Sequence, residues 1–288
     1  MDSPLPFGPS HYYPTLDMSS DRDSSEYCSF LWDQVVSIPH ALSSHVCKKA
    51  RCRFEVDSTK RMGTTLGGNK ESTKKSMDLP LKPSMTAWED IYKEFSRVLS
   101  LYVSPYLDRL ASIIPTYSIL DGYGERTLID HGFQIQRTAP NQGYGWHHDG
   151  NIIIVPDATY YPTSDAAEVI LGWERVFTYI FYLNDVEEGI GGRTQFRFRD
   201  KEGNYTIKSI LPTEGTLLLF PANELFQHRG EELKRDIKYI STGWVSHLLV
   251  SSHGREEGYG SLIDHPEVLD LLGGVTFPPT STLACLNI

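Results

Sequence analysis

The chain lacks any long apolar run. No stretch of about 18 apolar residues occurs in its 288 residues, so no membrane-spanning helix is predicted. It is short of positive charge: 27 Lys and Arg face 37 Asp and Glu, a formal net charge of −10. That balance, with no basic stripe in the sequence, argues against nucleic acid as a partner. The N-terminus, Met-Asp-Ser-Pro-Leu-Pro-Phe-Gly, has neither the basic nor the apolar region of a secretion signal, which predicts a non-secreted, cytoplasmic chain. Cysteine is scarce. Cys28, Cys47, Cys52 and Cys285 match no zinc spacing and suggest no disulfide framework. What is present fits a packed globular protein, with 40% hydrophobic and 11% aromatic residues.

The organisation changes along the chain. Residues 1–28 are rich in Pro, Ser, Asp and Tyr, without a period, and read as a flexible arm. Phe30–Ile38 reads as a first strand, stopped by Pro39. Ser43 and Ser44 are candidate N-caps for a helix to about Glu55, with Val46, Ala50 and Phe54 on one face. Residues 57–85, with Gly, Lys, Ser and two Pro, read as a mobile loop. Thr86 and Glu89 suggest a capping box. Behind them Trp88, Ile91, Tyr92, Phe95, Val98, Leu99 and Tyr102 recur at helical spacing, a stripe for docking on a sheet. Ser104-Pro105 suggests the start of a second helix to about Ile113. From Phe133 onward the pattern is strand-like: Phe133–Gln136 alternates, and Val176–Leu183, Thr216–Phe220 and Tyr239–Val245 are apolar or β-branched runs. The tail beyond Ser246 has scattered Gly and Pro, with a short helix suggested at 266–272. Helices followed by many short strands predict an α+β fold.

Within the strand-rich part lies Gly145-Trp146-His147-His148-Asp149-Gly150. Residues two apart on a strand share a face, so His147 and Asp149 aim together and His148 points away. A His and a carboxylate, joined by a distant His such as His228, make a facial triad with open metal positions, which suits non-haem Fe(II) oxygenases. Lys238, ten residues past His228, supplies a cation for a co-substrate carboxylate; Arg235 is the competing anchor. A lone His-x-Asp is weak evidence, since ten His and 37 acids produce such triplets by chance.

The wider order is more specific. Gln134–Gly150 is followed by Arg175-Val-Phe-Thr-Tyr-Ile-Phe-Tyr-Leu-Asn and Gly191-Gly192-Arg193-Thr194. Gly215-Thr-Leu-Leu-Leu-Phe, His228-Arg-Gly and Lys238-Tyr-Ile-Ser-Thr-Gly-Trp complete the series. Over about residues 130–246 this resembles the catalytic domain of the prolyl 4-hydroxylase family of 2-oxoglutarate/Fe(II) dioxygenases. The resemblance implies a double-stranded β-helix, or jelly roll, supported by N-terminal helices over 40–115, within a domain spanning 29–250 and followed by a tail at 251–288.

It further implies that His147, Asp149 and His228 hold Fe(II), and that Lys238 pairs with the far carboxylate of 2-oxoglutarate. Thr194, Thr242 and Trp244 match positions near the co-substrate. So does Thr138, where the family often has a Tyr. Tyr144 matches a position near the substrate. Arg193 replaces the Glu of the family's Gly-Gly-Glu-Thr and changes the charge beside the site. The implied reaction consumes 2-oxoglutarate and O2, releases succinate and CO2, and hydroxylates an unactivated C–H bond, with ascorbate as a candidate auxiliary. Asp149 argues against halogenation, which requires that carboxylate to be missing. A peptidyl proline is the family's usual substrate; a free amino acid or other small molecule is the alternative. A non-catalytic binding module and a zinc hydrolase are the readings from other classes, the latter leaving Lys238 unexplained. Residues 150–172 and 57–85 are the candidate lids.

Overall fold

The computed structural model describes residues 24–64, 74–113, 128–150, 152–160, 169–200, 202–252 and 275–277. Three helices occur among them: α1 (Ser24–Trp32), α2 (Ser44–Val56) and α3 (Glu89–Ile113). The strands before the His-x-Asp motif are β1 (Val36–Ile38), β2 (Arg61–Met62), β3 (Met77–Leu81), β4 (Leu128–Asp130) and β5 (Phe133–Thr138). The motif opens on β6 (Tyr144–His147) and is followed by β7 (Ile152–Tyr160), β8 (Val169–Tyr182), β9 (Thr194–Arg199) and β10 (Tyr205–Ile210). The last four are β11 (Leu217–Pro221), β12 (Gln227–Gly230), β13 (Lys238–Ser252) and β14 (Val275–Phe277). No helix of the described residues is long and apolar enough to cross a membrane.

The strands form two antiparallel sheets. The major sheet runs β1-β11-β8-β13-β5-β3-β2, with β7 beside β8, β4 beside β13, and β14 beside β4. The minor sheet runs β10-β9-β12-β6. Strand alternation sorts the major sheet's side chains into two faces. Phe133 and Ile135 of β5, with Phe177, Tyr179 and Phe181 of β8, join the helices in one buried cluster. Phe95 of α3 sits 5.3 Å from both the Phe133 and Phe181 rings. The intervening residues Gln134, Gln136, Thr138, Thr178 and Ile180 line a cavity on the opposite face. Between the sheets, Ile180, Tyr182, Phe196, Phe198, Leu218, Phe220 and Phe226 form a second cluster with Cys28 and Leu31 of α1.

Several sequence expectations change. Residues 24–32 are helical where an arm and a strand start were expected. Cys28 and Leu31, three apart, are buried in the second cluster, and Trp32 packs edge-on against Phe196 and Phe198. The helix capped by Ser43 is present, with the hydroxyl accepting from Val46 N at 3.3 Å. The Thr86–Glu89 capping box is not: a 3-10 turn at Thr86–Trp88 precedes α3 without a side-chain cap. One 25-residue helix replaces the two expected, with Pro105 inside it. Val103, Tyr106, Leu107 and Leu110 continue the buried stripe past the proline. Their docking outweighs the ~3 kcal/mol that an internal proline costs. The expected loop at 57–85 contributes β2 and β3, and β3 buries Leu79 and Leu81 while pairing with β5. The candidate lid at 150–172 holds β7 and the first part of β8, paired as an antiparallel arm. β13 runs on to Ser252 beside it, and β14 pairs with β4. The arm at 1–23 and the suggested helix at 266–272 lie outside the described residues.

Candidate metal and co-substrate site

β6 and β12 are paired in the minor sheet with His147 directly opposite His228. Their rings stand 4.2 Å apart between centroids. Asp149 lies two residues past the end of β6. Its Oδ1 is 3.7 Å from His147 Nε2 and its Oδ2 is 3.5 Å from His228 Nε2. One candidate ligand atom from each residue falls within 4.8 Å of the others. The backbone fixes both imidazoles. His147 Nδ1 lies 2.8 Å from Gly145 O, and His228 Nδ1 lies 3.0 Å from Phe226 O. A carbonyl only accepts, so each Nδ1 carries a proton and each ring turns its Nε2 toward the cluster. Burial, reinforced by His228 opposite, pushes the His147 pKa down to about 4, which keeps the ring neutral near pH 7. Burial pushes the Asp149 carboxyl up; the charge of His228 and His147 when protonated and a 2.8 Å hydrogen bond donated by Thr178 Oγ1 oppose it, and the net direction is below the usual carboxylate range. Two imidazole nitrogens and one carboxylate oxygen, pre-aimed at one point, are a donor set for a divalent transition metal.

The cluster opens into a cavity of about 560 Å³ between the sheets. Lys238, Ile240, Thr242 and Trp244 line it from alternate positions of β13. Lys238 is 5% exposed, and its Nζ donates to Gly192 O at 2.7 Å. Gly191 and Gly192 both have positive φ (84° and 76°), the backbone that brings this carbonyl to the ammonium. Burial pushes the Lys238 pKa down to about 8, opposed by Glu231. Such an ammonium gains strongly from an anion brought to it. Thr138 is paired with Lys238 on the neighbouring strand and lines the same cavity. Thr194 lines it from β9, its Oγ1 accepting from Tyr182 OH at 2.7 Å. Thr242 Oγ1 donates to Tyr179 O at 2.9 Å. The half-buried Trp244 indole N–H makes no protein hydrogen bond, yet lies close enough to Asp149 to favour its charged form. Tyr144 stacks on His147, with centroids 3.7 Å apart.

Two sequence candidates stand elsewhere. Arg193 does not line the cavity and pairs with Glu188 at 2.8 Å, because the strand alternation that turns Thr194 inward turns its neighbour out. Arg235 is 60% exposed and pairs with Glu187 at 2.7 Å, a solvated surface charge. Other residues bordering the site were not singled out in the sequence. Arg175 donates to Asp149 O at 3.1 Å and lies 3.7 Å from the Trp244 ring centroid. It reaches the cavity face because β8 is bulged where Val245 pairs with Phe177 and Ser246 with Arg175, leaving Val176 unpaired. Thr178 holds Asp149 from the same strand. Lys74 is buried against Asp78 at 2.6 Å, with Gln134 donating to that carboxylate at 3.1 Å. Lys74 also lies 5.5 Å from the Tyr144 ring centroid. Strand alternation through Gln134 and Gln136 was the available signal for the glutamine. Nothing local signals Lys74, whose segment reads as a loop.

Residues 133–246 match the model of the 2OG-Fe(II) oxygenase superfamily. No curated protein matches the chain. Among solved structures, a prolyl hydroxylase from Trichoplax adhaerens, in complex with a peptide fragment of the hypoxia inducible factor oxygen degradation domain, is 14% identical with a TM-score of 0.50. It aligns over 77% of this chain and 90% of its own. A viral collagen prolyl hydroxylase from Paramecium Bursaria Chlorella virus-1, complexed with 2OG, is 19% identical (TM-score 0.45, 74% and 96%). A Pseudomonas putida prolyl-4-hydroxylase is 16% identical (TM-score 0.46, 75% and 97%). The segment that carries β5 to β13 and the His-Asp-His cluster is thus the part of the chain that matches the 2OG-Fe(II) oxygenase superfamily, and its donor set fits the Fe(II) that such oxygenases use.

Proposed function

We propose that this protein hydroxylates a prolyl residue of a peptide or protein, consuming 2-oxoglutarate and O2 and releasing succinate and CO2. The observation that carries this reading is the convergence of the His147–Asp149–His228 cluster and the buried Lys238 ammonium on one cavity. In this reading the described domain, about 29–250, is a double-stranded β-helix whose halves are the two sheets. The fold likeness to the Trichoplax prolyl hydroxylase supports that architecture, and its bound peptide motivates the prolyl substrate.

His147, Asp149 and His228 hold Fe(II), which supplies the oxidising chemistry when 2-oxoglutarate and O2 are present. Thr178 and the carbonyls of Gly145 and Phe226 keep the three ligands oriented. Lys238 neutralises the far carboxylate of 2-oxoglutarate as a point charge. Thr138, Thr194, Thr242 and Trp244 border the co-substrate, and Tyr144 borders the substrate.

The test measures succinate from 2-oxoglutarate with Fe(II), ascorbate and O2, with and without a proline-containing peptide. The expected result is turnover stimulated by the peptide and abolished in His147→Ala and His228→Ala. Full activity in either variant would sink the ligand assignment. Stimulation by free proline and not by the peptide would transfer the substrate to the small-molecule class.

A further inference from the structure

The outer face of the minor sheet carries arginines that the catalytic reading does not use. The alternation that turns His147, Phe196, Phe198 and His228 inward turns Trp146, Gln195, Arg197, Arg199 and Arg229 outward. The Arg197 and Arg229 guanidiniums each lie 4.7 Å from the Trp146 ring centroid, and Arg197 lies 4.9 Å from that of the exposed Tyr205. Arg197 Nε donates to Gln227 Oε1 and Arg229 Nε to Gln195 Oε1, both at 2.7 Å. Their terminal nitrogens have no protein partner among the described residues. Nor does any carboxylate pair with Arg197, Arg199 or Arg229 among those residues; Arg61, Arg109 and Arg175 also lack one but stand singly elsewhere, and Arg51, Arg53, Arg97, Arg137, Arg193 and Arg235 have acidic partners. In a chain of net charge −10, three arginines without carboxylates on one sheet face are a local positive field, braced by aromatics and glutamines.

We propose that this face docks an acidic segment of the polypeptide substrate. Charge complementarity names the chemistry, because oriented guanidiniums present forked N–H donors that fit carboxylates. Guanidiniums already cover the Trp146 and Tyr205 rings, which disfavours the base stacking that single-stranded nucleic acid would seek. Continuity names the segment, because Arg229, whose guanidinium lies on the outer face, directly follows the cluster's His228 on β12 and is itself among the residues bordering the cavity. A peptide threaded into the cavity therefore leaves it beside the arginine row. This inference rests on the proposed peptide hydroxylation for its placement, but not for the docking itself.

The test uses full-length protein and the variant Arg197→Gln/Arg199→Gln, neither of whose positions borders the cavity; matching circular dichroism and thermal melts confirm its fold. A fluorescein-labelled decaglutamate peptide should bind the wild type, weaken with salt, and bind the variant at least about tenfold more weakly. A proline peptide extended by glutamates should have a lower KM than the unextended peptide in the wild type, and this advantage should disappear in the variant with kcat unchanged. Absent decaglutamate binding, equal binding by both proteins, or preferential binding of oligo-dT would overturn the proposal, as would turnover indifferent to the acidic extension. Intact decaglutamate binding without any turnover would count against the hydroxylase reading and leave the docking face standing.

Discussion

At the scale of single residues, two buried charges make different contributions. Lys238 is buried with a single carbonyl as its hydrogen-bond partner, so under the proposed function removing its ammonium removes the main partner of the far carboxylate of 2-oxoglutarate. Lys238→Ala should raise the KM for 2-oxoglutarate by about 10- to 100-fold, the range expected for loss of a buried charge-assisted contact. Arg235→Ala should leave that KM unchanged, and succinate assays across 2-oxoglutarate concentration distinguish the two. Asp130 carries no obvious benefit. Burial pushes its pKa up to about 7, although Tyr179 OH at 2.6 Å and Gly132 N at 3.2 Å favour its charge. The folded value lies above the ordinary 3.8, so the unfolded chain gives up this proton first. The group's contribution is fully present below about pH 4 and is lost as pH rises to about 7, at most ~4 kcal/mol. Asp130→Asn should therefore melt higher than wild type at pH 8, with a flatter melting profile between pH 4 and 7. Equal slopes for the two proteins would show that Asp130 is not the group responsible.

At the scale of elements, α3 is the brace behind the site. Its Phe95 touches Phe133 and Phe181, whose sequence neighbours Gln134 and Ile180 face the cavity. Phe95→Ala should cost about 3–5 kcal/mol of stability in denaturant melts. A cost under 1 kcal/mol would mean that the helix is not coupled to the sheet. The stripe that builds this brace was readable in the sequence because helical periodicity is local. The metal cluster was readable for another reason: His-x-Asp is a short motif, and the segments around it come in a recognisable order. Three things were not readable. The strand at Met77–Leu81 has a proline and is flanked by lysines and serines, so only its pairing with β5 defines it. The continuity of α3 through Pro105 depends on tertiary packing that overrides the proline. The bulge at Val176 has no signature of its own, and without it Arg175 looks like an outward-facing charge.

At the scale of the molecule, the segment resembling known oxygenases is not a self-sufficient piece. β5 has β13 on one edge and β3 on the other, while α2 and α3 cover Phe133, Ile135, Phe177 and Phe181. Expressed alone, residues 133–246 should aggregate or remain unfolded by circular dichroism, because that apolar face and the unpaired edge of β5 meet water. A cooperative melt of this fragment would contradict that view. The bulge between β8 and β13 has a wider bearing. It falls just past Trp244, the last site residue on β13, and beyond it the two strands continue in a new register as the arm that β7 joins. A pairing error or a change of length in the arm is thus absorbed at a point where the ladder already shifts. Lys238, Thr242 and Trp244 keep their positions. The arm is therefore a place where residues can be inserted, removed or exchanged with the ladder that carries Lys238, Thr242 and Trp244 left in register.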